Sequence, residues 1–347
     1  MKSVVPHPFR TLARLPLPAL SSWLLCLAHP TSAEAAVTHL YFGFNELEFR
    51  MDFVDIGHPG NLADETGAPN PVGAVPYTFL IGKYEVSEKT VTIANTLGNL
   101  NISLDSRYED KPATGVSWNE AARFVNWLNT STGHSPAYKF AVQPGELGYS
   151  PNTGFELWSN ADPGYNADNP FRNSDALYFL PSVDEWYKAA FFDPNKTGGP
   201  GYWNYPNKKN SAPITTAGSQ AVGTAVYNQP LAQGPADIDA AGGLGPFGTM
   251  GQGGNVFEWN ETAWDGVNDL DTETRVVRGG AWNTGANYLA SNLRNPAGPS
   301  ASSGTIGFRV AGLVIEPTPV PEPATFATVT GIVAAGFAFW RRITRPR

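Results

Sequence analysis

Two segments of the chain place apolar residues at helical spacing, and a capping box precedes each of them. Ser117 and Glu120 form the first S-x-x-E box. The apolar positions after it recur at i, i+3, i+4 and i+7, namely Ala121, Phe124, Val125 and Leu128. Ser182 and Glu185 form the second box, before an apolar face of Trp186, Ala189 and Ala190. The pattern predicts two amphipathic helices, and a weaker pattern predicts a third from Ser87-Glu88 to about Leu97.

Four short apolar runs predict β-strands, and long polar segments separate them. The runs are Tyr77–Ile81, Leu177–Leu180, Val276–Val277 and Phe308–Val314. Segments 141–175 and 196–250 are rich in Gly, Asn and Pro, and structureless loops of such length are unusual inside a compact domain. We therefore expect ordered loops that tryptophans and side-chain hydrogen bonds hold in place. The predicted class is α+β, loop-rich, with little regular secondary structure.

The composition narrows the class of protein. Hydrophobic residues make up 41 % of the 347 residues, which excludes a disordered chain, and 36 Gly with 30 Pro disfavour a helical bundle. A single cysteine, Cys26, excludes an internal disulfide framework. Residues 37–314 contain no sequence repeat and no long linker, which predicts one domain there.

The N-terminal segment, 1–36, has the three parts of a secretory signal peptide. Basic residues come first, an apolar stretch over 15–28 follows, and Ala33-Glu34-Ala35 offers a cleavage site for signal peptidase. A buried N-terminal helix is the alternative, and Pro16, Pro18 and Pro30 disfavour it. A lipoprotein signal at Cys26 is disfavoured because Leu25 stands where a small residue is required. Cleavage would remove the only cysteine.

The C-terminal segment also has three parts. A proline-rich spacer with a VPEP motif covers 315–323, and 324–347 consists of 17 uncharged residues followed by a seven-residue tail that contains four arginines. This order resembles the PEP-CTERM sorting signal, which implies recognition by an exosortase and removal of the tail. A plain single-pass membrane anchor is the alternative. Both predict that the body is exported to the cell envelope or the extracellular matrix, with transient or permanent membrane attachment.

The charge of the body excludes one class of partner. Residues 37–340 keep 16 basic and 30 acidic residues, a net charge of −14. Such a body repels nucleic acid, because phosphate binding requires clustered Lys and Arg. It is compatible with a divalent cation or with a neutral polysaccharide.

Seven motifs follow one another between residues 53 and 312. They are FVDIGHPGNLADETG (53–67), IGKYEVSEKTV (81–91), PATGVSWNEAARFVNWLN (112–129), YFLPSVDEWYKAA (178–190), GGNVFEWNET (253–262), RVVRGGAWN (275–283) and IGFRVAG (306–312). In this order they resemble the sulfatase-modifying-factor domain, also called the formylglycine-generating-enzyme family. The resemblance implies a variant of the C-type-lectin fold, which agrees with the α+β prediction.

The family's best-known activity oxidises a substrate cysteine with O₂, and the resemblance implies two active-site cysteines that hold copper. Counted from Gly279-Gly280, those positions are Thr284 and Leu289. Thiolates suit Cu(I), whereas a Thr hydroxyl is a poor ligand and Leu is none. We therefore expect no catalytic residues of this type and no copper, although a formylglycine-generating oxidoreductase stays open as the alternative function.

Other chemistries have weaker support in the sequence. A second branch of the family uses non-haem iron, but the body offers only His39, His58 and His134, without an HxxxH pair. His134 beside a serine is a weak hydrolase signal. The acid pairs Asp184/Glu185 and Asp237/Asp239 would suit a glycosidase only across a cleft.

Calcium is a further expectation from the resemblance. Family members hold the ion around the GN-x-x-EW turn, and the matching positions are Gly254, Val256 and Glu258. Gly251 stands where an Asp or Asn side chain usually contributes, which weakens the site because calcium requires six to eight oxygens. We also expect Arg278 and Arg309 to be buried and paired with carboxylates, with Glu258 and Asp184 as the natural partners.

Two classes of function follow. In the first, the body is a non-catalytic binding or structural module that contacts an extracellular polysaccharide or an envelope protein. Loop aromatics would supply its binding surface: Trp158, Tyr202, Trp203, Tyr205 and Trp264. In the second class it is a metal-dependent oxidoreductase of the parent type.

Overall fold

Residues 37–314 are the part of the chain that the computed structural model describes. The predicted signal peptide with Cys26, the VPEP spacer and the basic sorting segment lie outside these residues. The described strands are β1 (Val37–Phe42), β2 (Phe49–Ile56), β3 (Phe79–Gly82), β4 (Tyr178–Phe179), β5 (Phe192–Asp193), β6 (Gly201–Tyr202), β7 (Ile214–Thr215), β8 (Thr224–Ala225), β9 (Phe257–Ala263), β10 (Arg275–Arg278), β11 (Asn295–Ala297), β12 (Ile306–Gly307) and β13 (Ala311–Leu313). The α-helices are α1 (Glu88–Gly98), α2 (Trp118–Ser131) and α3 (Val183–Phe191). Short 3-10 helices cover Asn45–Leu47, Leu231–Gln233, Ile238–Ala240 and Ala286–Leu289.

The strands form two main sheets and two short pairs. The larger sheet has the order β1-β2-β3-β13-β4, and all its neighbours are antiparallel. The second sheet has the order β11-β10-β9-β12, in which only β12 runs parallel to its neighbour β9. The remaining pairs are β5-β6 and β7-β8. Strand β13 lies between β3 and β4, so the last described strand lies inside the larger sheet.

Local sequence signals fix the starts of all three helices. The Ser117 hydroxyl accepts the Glu120 backbone N–H, and the Glu120 carboxylate accepts the Ser117 N–H at 2.8 Å. Ser182 and Glu185 form the same reciprocal pair at the start of α3. Ser87 caps α1. The three predicted helices are therefore confirmed. Helix α1 ends one residue past Leu97, and α2 and α3 continue past Leu128 and Ala190 by three residues and by one.

The predicted strands are found, with shifted ends. The run predicted to start at Tyr77 begins two residues later, because the Tyr77 hydroxyl turns away to donate to Glu185 at 2.6 Å. The strand predicted over 308–314 covers only β13, because Arg309 leaves the sheet to reach the interior. Strands β1 and β2 were not predicted, although buried Phe49, Met51 and Phe53 alternate with Arg50 and Asp52 in β2.

The long segments are ordered loops held by side chains, as the sequence predicts. Trp158 Nε1 donates to the Ala137 carbonyl at 2.9 Å, and Lys139 pairs with Asp162 at 3.0 Å. One large aromatic core, which includes Phe53, Phe79 and Phe124, lies between the larger sheet and α2. Within residues 37–314, no helix is long and apolar enough to cross a bilayer. The structure is α+β with little regular secondary structure, as predicted.

Candidate functional site

The centre of the molecule is a buried ion pair between two of the motifs. Arg309 lies in the motif IGFRVAG. Its Nε donates a hydrogen bond to Glu258 Oε2 at 2.5 Å, and its Nη2 donates one to Glu258 Oε1 at 2.6 Å. Trp186 Nε1 donates to the same Oε2 at 2.6 Å. Both charged side chains are fully buried. The predicted pairing of Arg309 with Glu258 is confirmed.

A second buried carboxylate lies beside this pair. Glu85 Oε2 accepts a hydrogen bond from Asn255 Nδ2 at 2.8 Å, whereas Glu85 Oε1 has no hydrogen-bond partner among the described residues. Burial, and then repulsion from Glu258, raises the pKa of Glu85 well above its usual value. The cluster therefore holds two carboxyl groups around one guanidinium, and one of the two favours its protonated form.

The prediction for Arg278 was wrong. Its Nη1 and Nη2 donate to the backbone carbonyls of Leu293 and Ser291, at 2.6 and 2.9 Å, and not to a carboxylate. Its Cζ lies 4.9 Å from the ring centroid of Tyr187. Asp184, the other expected partner, accepts the Gly73 backbone N–H at 2.6 Å. Carbonyl dipoles and aromatic faces replace the negative charge here.

Thr284 and Leu289 meet at one point of the backbone. Gly280 has φ +79°, and a Cβ built on it would lie 2.8 Å from Leu289 Cδ1 and 3.1 Å from Thr284 Oγ1. Thr284 Oγ1 accepts the Ala281 N–H at 2.9 Å. Leu289 is fully buried in a small apolar cluster with Ala225 and Tyr227. The two positions that the resemblance assigns to the copper cysteines are thus adjacent, and apolar packing surrounds Leu289.

The side chains of Thr284 and Leu289 are not suitable ligands for copper. A threonine hydroxyl that is already hydrogen-bonded to backbone and a leucine methyl group offer no soft ligand. Cys26, the only cysteine of the chain, is outside the described residues. Within residues 37–314, no group of three or more His, Cys, Asp or Glu side chains is arranged to hold a metal ion.

The calcium expectation meets a poor donor set as well. The Glu258 carboxylate faces the Arg309 guanidinium, which supplies the positive charge that a calcium ion would otherwise supply. Gly251 has φ +81°, and a Cβ there would lie 2.9 Å from Glu85 Oε2. Any longer side chain at 251 would therefore collide with the Glu85 carboxylate. Without Glu258 or a side chain at 251, only the backbone carbonyls of Gly254 and Val256 would remain as calcium ligands. Calcium binding therefore stays a prediction.

The histidines and acid pairs lie in unrelated surroundings. His39 pairs with Asp52 at 2.8 Å on strand β1, and His134 is exposed. Glu185 is buried and paired with Arg172 at 3.0 Å, which holds the pKa of its carboxyl below the usual range despite burial. Asp237 pairs with Lys111 at 2.9 Å, and Asp239 is exposed.

The five candidate aromatic residues do not form one surface. Trp158 and Trp203 each use the indole N–H internally, on Ala137 O and on Asp193 Oδ2. Arg294 covers Trp264 at 4.1 Å from the ring centroid. Tyr205 packs beside the Leu289 cluster. These four contacts hold loops in place.

Tyr202 alone among the five lines one of the larger cavities. This opening, which we call the Tyr202 cavity, has a volume of about 420 Å³, and His58, Asn61, Leu62 and Phe192 also line it. The Tyr202 ring lies 5.2 Å from the Phe192 ring. The cavity therefore combines aromatic faces with an amide and an imidazole.

Among residues 37–314, the aromatic side chain with the largest exposed fraction is one that the sequence patterns did not indicate. Tyr108 is 81 % exposed, and it was not singled out because it lies in a short loop without a motif. The buried cluster in which Arg172 bridges Glu185 and Glu261 was also missed, because its members are distant in sequence.

The fold and the central cluster define a loop-rich α+β domain in which the Gly-rich turns and the Glu258–Arg309 pair join the motifs. Residues 53–313 match the family described as the sulfatase-modifying factor enzyme 1-like domain, and the chain belongs to this family. A comparison with curated proteins gives no match.

Several solved structures have a similar fold at low sequence identity. Variable protein 1 of Treponema denticola is 19 % identical, with a TM-score of 0.49 over 80 % of this chain and 99 % of that one. PvdO from Pseudomonas aeruginosa is 18 % identical, with a TM-score of 0.48 over 79 % and 98 %. CarF is 19 % identical, with a TM-score of 0.47 over 76 % and 99 %.

Proposed function

We propose that this chain is an exported, non-catalytic member of its family that binds a neutral polysaccharide or an envelope protein. The observation that carries the proposal is the pair Thr284 and Leu289 at the positions of the family's copper cysteines. The signal-like N-terminus and the VPEP tail support export by signal peptidase and an exosortase. The net charge of the body argues for a partner other than nucleic acid.

The chemistry of the two positions supports the loss of the oxidase reaction. Copper-dependent oxidation of a thiol requires a soft ligand set, and these two side chains supply a hydroxyl and a methyl group. Because Leu289 is packed on Ala225 and Tyr227, a ligand could enter only by displacing it.

The Tyr202 cavity supports the binding role. Sugar rings pack on aromatic faces, and amide and imidazole groups form hydrogen bonds with sugar hydroxyls. Tyr202 and Phe192 offer the first, and the His58 imidazole offers the second. The Asn61 amide is already bonded to Gly73, Tyr202 and Val75 and shapes the wall. Its volume of about 420 Å³ is that of a small-ligand site.

A copper assay tests the loss of catalysis. The purified full-length chain is mixed with Cu(I) and assayed on a peptide that carries a sulfatase-type cysteine motif. We expect neither stoichiometric copper nor conversion of the cysteine. Turnover with bound metal would overturn the proposal in favour of the oxidoreductase.

Affinity electrophoresis in gels that contain dextran or laminarin tests the binding role. We expect retarded migration that Tyr202→Ala and His58→Ala each reduce. Tyr165→Ala is the matched control, because Tyr165 is a partly exposed tyrosine on another loop. Retardation that is equal in all variants would exclude the Tyr202 cavity, and no retardation would leave an envelope protein as the partner to be sought by pull-down.

A further inference from the structure

A separate groove lies beside the N-terminal half of helix α1. Its lining comes from α1, from residues 104–109 and from the short 3-10 helix Asn45–Leu47. We call it the Tyr108 groove, after the aromatic residue in its wall. Its volume of about 530 Å³ is within the usual range of about 300–1,000 Å³ for ligand sites. It shares no lining residue with the Tyr202 cavity.

Tyr108 presents its aromatic ring to solvent from a fixed backbone. The residue is 81 % exposed. Its N–H donates to Glu88 Oε2 at 3.2 Å, and its carbonyl accepts the Lys111 N–H at 3.0 Å. The carbonyl of the next residue, Glu109, accepts the Lys89 N–H at 3.0 Å. The ring thus belongs to a loop that is already bonded to α1, so a ligand that packs on it pays little for ordering the loop.

Three polar side chains around the ring are accessible and keep their hydrogen-bonding capacity. Thr92 and Ser106 are exposed, and neither hydroxyl forms a hydrogen bond with another residue of 37–314. Glu46 is also exposed, and its carboxylate forms no ion pair within the same residues. The groove therefore offers two hydroxyl groups, which donate and accept, and one carboxylate, which accepts.

Both cations of the groove already have partners. Lys89 pairs with Glu109 at 3.2 Å, and Arg107 pairs with Asp105 at 3.4 Å. The lining residues carry three carboxyl groups against these two cations. Such a wall disfavours a polyanionic chain, because like charges are then brought together.

The lining also differs from the core of a protein interface. Such cores are depleted of charged residues, whereas five of the ten lining residues here are charged. Ile93 and Leu104 supply only a small apolar floor. One accessible aromatic face with hydroxyl and carboxylate groups around it suits a sugar ring, whose C–H face packs on the aromatic ring while its hydroxyls form hydrogen bonds.

We propose that the Tyr108 groove is a second sugar-binding site, at which one ring of a neutral polysaccharide packs on Tyr108. Glu46, Thr92 and Ser106 form hydrogen bonds with hydroxyl groups of the same chain. Because most of the lining is exposed, the polymer can continue beyond the groove in both directions. The inference rests on the proposed polysaccharide binding and adds a site that lies outside the Tyr202 cavity.

Affinity electrophoresis of the full-length chain tests the aromatic contact. The gels contain laminarin, dextran or carboxymethyl-dextran, the last being a polyanionic form of the second. We expect retardation by a neutral glucan and none by carboxymethyl-dextran. Tyr108→Ala should weaken the apparent affinity about tenfold, whereas Tyr108→Phe keeps the ring and most of the affinity. Tyr41→Ala is the matched control, because Tyr41 is 59 % exposed on β1 and does not line the groove.

Two substitutions of Glu46 test whether the chain is neutral. Glu46→Gln removes the charge and keeps a hydrogen-bonding group, so we expect it to retain most of the retardation. Glu46→Ala removes both and should weaken the apparent affinity about fivefold. Equal losses in the two variants would show that the charge of Glu46 is what the partner recognises, and this would overturn the choice of a neutral sugar.

The two sites are separated by the variant that loses binding. Retardation that falls in Tyr202→Ala and not in Tyr108→Ala would overturn this inference and leave the Tyr202 cavity in place. The reverse result would support the Tyr108 groove and exclude the cavity. No retardation of the wild type by either neutral glucan would overturn this inference together with the proposed polysaccharide binding. If circular dichroism shows that Tyr108→Ala is unfolded, Glu46→Ala decides the question.

Discussion

Arg309 and Glu258 join the end of the described chain to its central turn, because two guanidinium nitrogens face the two carboxylate oxygens at 2.5 and 2.6 Å. The same guanidinium donates to the carbonyls of Gly82 and Met250 at 2.8 and 2.9 Å. One side chain thus connects four segments of the molecule. In this chain the contact joins the GFRV motif to the GN-x-x-EW motif.

Removing one partner of this pair leaves a buried charge. We expect Arg309→Met to lower the free energy of unfolding by about 3–5 kcal/mol. The double variant Glu258→Met with Arg309→Met should lose less than the sum of the two single losses, because neither charge is then left unpaired. Urea denaturation of the four proteins measures the coupling, and additive losses would contradict it.

Gly280 is expected to tolerate no side chain. Gly280→Ala forces φ +79° on a residue with a Cβ and brings that Cβ against Leu289 and Thr284. The first effect costs about 1–2 kcal/mol and the second about 1–3 kcal/mol. Gly60→Ala is the control, because Gly60 has φ +75° and open space around its Cβ position. Thermal melts that show equal losses would exclude the steric contribution.

The raised pKa of Glu85 predicts a pH-dependent contribution to stability. A carboxyl that binds its proton more tightly when folded stabilises the fold below its unfolded pKa, near 4.5, and this contribution is lost as the pH rises towards the folded value. Glu85→Gln mimics the protonated form at every pH. We expect the variant's advantage in unfolding free energy over the wild type to grow as the pH rises above about 4.5.

Urea denaturation across that range measures the effect. Glu109→Gln is the control, because Glu109 is largely exposed and pairs only with Lys89. A constant difference between Glu85→Gln and the wild type would mean that Glu85 ionises alike in the folded and unfolded chains.

Lys188 makes a contribution to stability whose pH dependence is opposite to that of Glu85. The residue is fully buried, its Nζ donates to the His58 carbonyl at 2.9 Å, and burial lowers the pKa of Lys188 to about 8. The unfolded chain therefore binds the proton more tightly, and wild-type stability rises as the pH increases from about 8 to about 10.5.

We expect Lys188→Met to be more stable than the wild type by about 1–2 kcal/mol at neutral pH, and this gain should shrink through that window. Chemical denaturation at several pH values measures it. Lys209→Met, at an exposed lysine, should show no such trend. A gain that persists at high pH would point to better packing and not to the removed charge.

Cysteines at the two family positions should restore a copper site. Thr284→Cys with Leu289→Cys places two thiols against Gly280, and thiolates are good Cu(I) ligands. We expect one Cu(I) per chain in competition with a chromophoric chelator, and much weaker binding by either single variant. Equal binding by single and double variants would show that the two side chains do not converge.

The parts of the fold that the sequence predicts are those that depend on neighbours in the chain. The capping boxes at Ser117 and Ser182 involve residues three positions apart, so the pattern alone determines where α2 and α3 begin. Strand β1 depends on pairing with β2, which the sequence alone does not show. Strand β2 was missed although Phe49, Met51 and Phe53 alternate with polar Arg50 and Asp52. The apolar pattern predicts Tyr77 to be in a strand, because it does not show the hydrogen bond to Glu185, a residue far away in the sequence.

The site shows the same division. The residue types around Arg309 indicate an acidic partner, and Glu258 is that partner. Arg278 has the same residue type but finds carbonyls and rings, and only the tertiary structure distinguishes the two. The five aromatic residues predicted to form one binding surface do not form one. An indole in a loop can pack inward as readily as it can face a ligand, and the sequence does not distinguish the two.

The position of β13 inside the larger sheet imposes an order in time. A chain that leaves a ribosome or a translocation channel from its N-terminus delivers β1, β2, β3 and β4 long before β13 arrives. The gap between β3 and β4 stays open until residues 311–313 are available, and Arg309 reaches Glu258 at nearly the same moment. Closure of the sheet therefore requires that almost the entire body has been delivered.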